Sequence, residues 1–258
     1  MAISVQVAVE RLVEARAIHR LATPLSETDP DLTLEQAYAI QDALRAALER
    51  KGEQIMGWKV GVTSQAVREA LGVEHPIAGF LLRSGQYASG AEVPLDRFAN
   101  LGVEVEVAFR MRTQLMGPGV TADSAGLAVE GVFAALELPD FLFSGKPRAA
   151  DFVADGVHAN AIVLGSPLTP IRTLDLSLEG VVYEHNGQIV ATNTAAEVMG
   201  NPLNSLAWLA NHLGSRGLSL KPGDVVMSGS VSKLLRPKAG DTIRAKFTRI
   251  GSVSAKFV

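Results

Sequence analysis

The stretch Leu101–Phe109, Leu-Gly-Val-Glu-Val-Glu-Val-Ala-Phe, limits the possible folds more than any other. Its residues alternate with period two, as a half-buried strand requires. Val103, Val105, Val107 and Phe109 fall on one face, and Glu104, Glu106 and Ala108 on the other. The apolar face demands a core. The opposite face sets two carboxylates side by side, and both stay ionised cheaply only if water or a cation screens them. Two readings are open from this stretch alone. One is an antiparallel strand with a solvated face; the other is half of a site for a hard divalent cation.

Two other charges stand in apolar surroundings. Gly131–Leu138 reads as a buried strand, Gly-Val-Phe-Ala-Ala-Leu-Glu-Leu, whose single charge is Glu137. A lone buried carboxylate is costly unless paired or metal-bound. Glu137 is therefore the third ligand to test, against the reading of a strand end reaching solvent before Pro139-Asp140. Lys59 lies in Gly57-Trp-Lys-Val-Gly61. Its stem either packs while its head reaches water, or its charge is buried to meet an anionic substrate. The chain has no cysteine, and its five histidines are scattered. An all-carboxylate set without thiolate or clustered imidazole favours Mg²⁺, Mn²⁺ or Ca²⁺ over Zn²⁺.

The rest of the chain sets the class. Its 258 residues are 47% hydrophobic and 20% charged, enough for a generous core. Residues 5–22 read as an amphipathic helix, broken by the polar Ser26–Pro30. Thr33-Leu-Glu-Gln36 is a capping box that opens a second helix, stopped near Gly52. Thr63 or Ser64 caps a short helix, Gln65–Leu71, and His75–Gly79 reads as a turn or extended loop. From about Glu92 the signal is mostly β. Thr121–Val129 is a helix, Lys146–Asp155 a loop, and Ala159–Leu164 a short strand. Leu176–Thr194 is a hairpin turning at Asn186-Gly187. Asn201-Pro202 opens the helix Leu203–Ser215, and the last strands end at Val258. This pattern predicts an α+β fold: a helical region, 1–53, and a β-rich domain, 54–258, with a rolled or barrel-like mixed sheet.

Several function classes are disfavoured. A net charge of −3 without a basic block argues against a nucleic-acid partner. No run of 18 apolar residues exists to span a membrane. The N-terminus, with Glu10, Arg11, Glu14 and Arg16, is not read as a signal peptide. The cysteine-free composition fits a cytoplasmic protein. There is no Walker loop, HExxH, dinucleotide fingerprint or Gly-x-Ser-x-Gly elbow.

Taken together, the motifs resemble a known family. Gly57-Trp-Lys-Val-Gly-Val-Thr-Ser64, Gly72-Val73 and Pro76-Ile-Ala-Gly79 are similar to the opening signature of the 2-oxopent-4-enoate hydratases and 4-oxalocrotonate decarboxylases. These belong to the fumarylacetoacetate hydrolase superfamily. Glu104-Val-Glu106-Val-Ala-Phe109 resembles its Glu-x-Glu metal strand, Ala135-Leu-Glu137 its third carboxylate, and Gly251-Ser-Val-Ser254 its C-terminal end. The resemblance implies Mg²⁺ or Mn²⁺ on Glu104, Glu106 and Glu137, chelated by the 2-oxo (or 2-hydroxy) group and carboxylate of a small acid. Lys59 is the implied catalytic residue, meeting that carboxylate or moving protons near C2. Thr63, Ser64, Ser228 and Gly229 are the implied substrate-binding residues. Homo-oligomers, and in some cases complexes with a neighbouring pathway enzyme, are also implied.

The chain departs from the family pattern beyond the metal residues. Hydratases usually carry Asp where Ile77 stands. An Asp-Ser-Arg segment usually follows the third carboxylate, but Leu-Pro-Asp-Phe141 follows here. Asp155-Gly156 replaces a common Asp-Asn pair, and Asn201 replaces a usual His. Lys146, Arg148, His158, Lys233 and Arg236 are the cations available to replace the missing arginine. The expected activity is that of a metal-dependent lyase on a short 2-hydroxy- or 2-oxo-dienoic acid from aromatic meta-cleavage, hydratase-like first and decarboxylase second. A C–C bond hydrolase, and a homologue that binds a 2-oxo acid or supports a partner enzyme without catalysis, complete the alternatives.

Overall fold

A computed structural model describes residues 2–258. Three helices open the chain: α1 (Val5–Ile18), α2 (Leu25–Thr28) and α3 (Leu34–Arg50). The first is shorter than its sequence pattern suggests, because His19 turns left-handed and its N–H closes back on Ala15 and Arg16. The segment expected to be only a polar break contains α2. Thr33 and Gln36 form the expected reciprocal capping box at the start of α3. Residue 53 lies between α3 and β1, and the main core cluster holds residues from both sides of it.

The rest of the chain folds as β1 (Ile55–Gly61), α4 (Gln65–Leu71), β2 (Ile77–Leu82), β3 (Gln86–Ala88), β4 (Ala91–Val93) and β5 (Glu104–Met111). Then come α5 (Ala122–Ala128), β6 (Val129–Leu138), α6 (Ala149–Ala154), β7 (Ala161–Leu164), β8 (Gly180–His185) and β9 (Gln188–Thr194). The chain ends with α7 (Pro202–Ser215), β10 (Val225–Ser230), β11 (Thr242–Phe247) and β12 (Ser252–Phe257). One mixed sheet has seven strands, ordered β2-β1-β10-β5-β6-β7-β3; the other has five, ordered β4-β12-β11-β8-β9. Strands β11 and β12 pack against β6, so the sheets roll together as the α+β reading requires.

Two expectations are corrected. The segment expected as a turn or extended loop, His75–Gly79, runs into strand β2, which pairs antiparallel with β1 along most of its length. Its Ala78-Gly79 backbone lies under α3 and α6, where Gln41 donates to Ala78 O and Val153 O. The segment expected as a loop, Lys146–Asp155, contains α6. Its opening is secured by Asp151, which accepts from Arg148 N and from Ser26 N and Oγ. The partner in α2 is 125 residues away, beyond any local pattern.

The core divides along the two faces of the large sheet. Val103, Val105, Val107 and Phe109 join the main cluster, which also holds Leu12, Leu44, Trp58, Leu136 and Val253. Ala108 joins a smaller cluster with Met56, Leu81, Ala135, Ile162 and Met227. By strand alternation, Glu104 and Glu106 share the Ala108 face.

Candidate metal and substrate site

The carboxylate face of β5 is not open to solvent, although Glu104 at its start is only half-buried. Glu106 is 1% exposed and Glu137 fully buried. Strands β5 and β6 run antiparallel with Glu104 directly opposite Glu137 and Glu106 opposite Ala135. One oxygen from each of Glu104, Glu106 and Glu137 lies within 4.8 Å of the others. Like charges opposite one another are ordinarily unfavourable. Here burial and the Glu137 charge push the Glu104 carboxyl up to about 7, with Lys59 opposing. Burial, then Glu137 and Glu104, raise Glu106 well above the usual carboxylate range.

Among the described residues, Lys59 is the cation at the cluster. Its strand, β1, runs parallel to β10, and β10 pairs with β5, which carries Lys59 to the carboxylate face. Its Nζ lies 2.6 Å from Glu137 Oε1 and donates to Val157 O at 2.9 Å. Burial alone would lower its pKa, but Glu137, Glu104 and Glu106 together raise it, so the group is an ammonium. Of the two readings of Lys59, the structure therefore shows the buried charge.

The backbone around the cluster is strained and closely packed. Gly229 N donates to Glu106 Oε2 at 2.8 Å. Gly229 has φ +115°, and a Cβ there would lie 2.5 Å from Thr63 Cγ2. Only glycine admits both this conformation and this approach. Val62, a β-branched residue, has φ +59° where β1 gives way to the Thr63-Ser64 corner. Non-glycine residues held there cost of order 1–3 kcal/mol and cluster at functional sites.

A cavity of about 540 Å³ opens over this face. Its wall includes Lys59, Thr63, Ser64, Glu104 and Glu106, apolar Val60, Val62, Val67 and Leu234, and the polar Asn193, Glu197, Ser230, Ser232 and Lys233. Thr63 and Ser64 are thus at the cavity, with Ser64 also capping α4 through Val67 N at 3.2 Å. Gly229 lies behind Thr63. Ser228 is not in the wall: it is fully buried, its carbonyl accepts from Ser205 Oγ, and its own hydroxyl has no partner. Ser230, two residues on, stands in the wall instead.

Among the cations considered for the distal end, Lys233 lines the cavity. Arg148 reaches back to Pro30 O. Arg236 is committed to Asn100 and the Phe141 ring. His158 is buried between Phe141 and Phe152. Sequence reading missed Glu197, Asn193 and the Val157 carbonyl. None carries a local motif; each is brought in from a separate turn or strand.

The donor set suits a hard dication. Fully ionised, three carboxylates against one ammonium would leave two negative charges in a buried place, which is why Glu104 and Glu106 are raised and what a cation there would relieve. Glu137 Oε2 has no hydrogen-bond partner, and the cluster has neither thiolate nor imidazole. Buried charge without a partner is costly, and oxygen-only ligation fits the Mg²⁺, Mn²⁺ and Ca²⁺ class.

Comparison with known proteins gives a consistent result. The sequence model "Fumarylacetoacetate (FAA) hydrolase C-terminal" matches residues 58–258. A 2-hydroxyhexa-2,4-dienoate hydratase of Comamonas testosteroni is 35% identical over 251 residues, covering 96% of this chain and 95% of the relative. A 4-oxalocrotonate decarboxylase of Pseudomonas putida is 33% identical over 247 residues, covering 95% and 92%. The structure of 4-oxalocrotonate decarboxylase from Pseudomonas putida G7, complexed with magnesium and adipate, superposes with a TM-score of 0.95 at 30% identity, covering 98% of this chain and 97% of that one.

Proposed function

The chain belongs to the fumarylacetoacetate hydrolase family, and from that membership we propose a divalent-metal-dependent lyase that hydrates a short 2-hydroxy-dienoic acid of aromatic meta-cleavage. The observation that carries the proposal is the buried cluster of Glu104, Glu106 and Glu137 with Lys59 Nζ 2.6 Å from Glu137. Glu104, Glu106 and Glu137 would hold Mg²⁺ or Mn²⁺. A bound dication would polarise the 2-oxygen and carboxylate of the acid and stabilise the negative charge that develops there.

The chain's own residues supply the rest. Glu137 and Val157 O hold the Lys59 ammonium in one place, so its proton is available to the substrate carboxylate or its 2-oxygen. The Gly229 N–H fixes one oxygen of Glu106 and leaves the other free for ligation. Val60, Val62, Val67 and Leu234 give the hydrocarbon tail an apolar wall. In hydration a proton goes to the terminal carbon, and water then adds to its neighbour, giving a 4-hydroxy-2-oxo acid. Ile77 offers no carboxylate for the water and is buried on β2. Glu197 is the carboxylate in the cavity wall outside the triad, and we assign it to that water.

Lys233 favours a second reading, decarboxylation of a dioate. Among the described residues it is the cation in the cavity wall besides Lys59, and it suits a distal carboxylate. The two reactions separate in one assay. Metal-loaded protein is given 2-hydroxypenta-2,4-dienoate and, separately, 2-oxohex-3-enedioate, with absorbance and released CO₂ followed. Loss of the monoacid without CO₂ supports hydration. CO₂ from the dioate, lost in Lys233→Ala, supports the second reading. If neither acid reacts, both readings fail.

A further inference from the structure

We propose that Arg16, on the N-terminal helix α1, is a positioning residue for Lys59, acting through a left-handed turn that it clamps at both ends. The turn is Gly156-Val157-His158. All three residues have positive φ, +79°, +59° and +60°. Three consecutive left-handed residues, one of them β-branched, do not persist without outside support. The middle carbonyl of the turn, Val157 O, accepts from Lys59 Nζ at 2.9 Å.

Arg16 supplies the support. Its Nε and Nη2 donate to Asp155 Oδ1 at 3.1 and 2.9 Å, its Nη2 also to Asp155 O, and its Nη1 to Ala159 O at 3.1 Å. Asp155 and Ala159 flank the three left-handed residues on either side. The guanidinium thus ties the start of the turn to its end, and Lys59 takes the carbonyl in the middle. Asp140 N takes the next carbonyl, His158 O, at 2.9 Å. A planar fork with five donors can span two backbone carbonyls and a carboxylate; an ammonium cannot.

The neighbouring strands fit this turn closely. A Cβ on Gly79 would lie 2.1 Å from Gly156 O, and one on Gly61 2.5 Å from Val157 Cγ1. The turn is therefore seated on β1 and β2 on either side of Lys59. Asp155 is 1% exposed on its side chain and Arg16 13%, so the pair is largely shielded from water. Helix α1 contributes no residue to the cavity wall, yet it controls where the Lys59 ammonium stands.

The functional consequence rests on the proposed lyase reading, but the geometric one does not. Crystal structures of Arg16→Ala and Arg16→Lys, together with kcat and KM of the Mg²⁺-loaded full chain on 2-hydroxypenta-2,4-dienoate, test it. In Arg16→Ala, Val157 should leave the left-handed region and the Lys59 Nζ–Val157 O distance should exceed 3.5 Å. Its kcat should fall at least tenfold, with KM changed less than threefold. Arg16→Lys, which keeps a positive charge at that position, should recover only a small part of kcat. An unmoved turn and Lys59 in either variant would overturn the proposal, as would a loss confined to stability with kcat retained. Full recovery by Arg16→Lys would overturn the role of the fork. If the wild-type protein turns over no dienoate, the lyase reading fails, and the distance in the variants still decides this inference.

Discussion

Glu106 is the residue on which most constraints converge. It sits on the centre strand pair, is 1% exposed, and receives the Gly229 N–H on one oxygen. Glu106→Gln keeps the shape but removes a ligand charge. It should lower Mg²⁺ affinity at least about 100-fold, the loss seen when support around a metal ligand is removed, with the circular dichroism spectrum unchanged. Titration calorimetry measures the affinity; undiminished Mg²⁺ binding would remove Glu106 from the ligand set. Lys59→Ala should weaken binding of a 2-oxo acid more than binding of Mg²⁺, because Lys59 lines the cavity and is not itself among the carboxylate ligands. Equal loss of both would assign Lys59 to packing. The triad was legible because period-two alternation places Glu104 and Glu106 together and a lone charge in an apolar run singles out Glu137. The burial of their whole face was not: it needs the second small cluster of Met56, Leu81 and Met227, assembled from three other strands. Glu197 and the Val157 carbonyl were illegible for the same reason. Ser228 stands outside the cavity wall, and Ser230 in it, where a register shift between Met227 and Ser230 breaks the strand alternation that the sequence suggests.

At the scale of elements, the site depends on close approach between backbone segments. Gly79 pairs with Lys59 across β1 and β2, and a Cβ on it would meet Gly156 O at 2.1 Å. Gly79→Ala should therefore cost about 2 kcal/mol or more, read as a shifted denaturation midpoint. A midpoint within experimental error of wild type would show that the turn does not sit on β2. Helices with their own caps were legible: Thr33 with Gln36, Thr121 at the start of α5, Ser64 before α4 and Asn201-Pro202 before α7 all cap as their sequences suggest. The hairpin turn was equally plain, with Asn186 and Gly187 both at positive φ. Strand β2 and helix α6 were not legible, because their stability comes from Gln41, Ser26 and the Gly79 contact rather than from their own residues.

At the scale of the molecule, the two faces of one sheet divide the labour. The Val103–Phe109 face joins the main core and carries the stability. The opposite face gathers three carboxylates, two of them with raised pKa values, whose charge a bound dication would offset. Mg²⁺ at about a hundred times its Kd should add about 2.7 kcal/mol to stability, raising Tm by roughly 5–10 °C for a chain of this size. No shift with Mg²⁺ or Mn²⁺ in differential scanning calorimetry would contradict the dication reading. Among the described residues, no helix is long and apolar enough to cross a membrane. The α+β class with a mixed β-roll was readable from the spacing of short strands and glycine turns; the strand order was not, because β10 enters the sheet between β1 and β5 from far along the chain. The most direct test of the central claim is consumption of 2-hydroxypenta-2,4-dienoate with Mg²⁺ present, after chelation, and after Mg²⁺ is restored. The metal-lyase account predicts loss of the diene absorbance with Mg²⁺, none after chelation, and full recovery on restoration. Turnover that survives chelation, or no turnover by protein that has bound Mg²⁺, would contradict it.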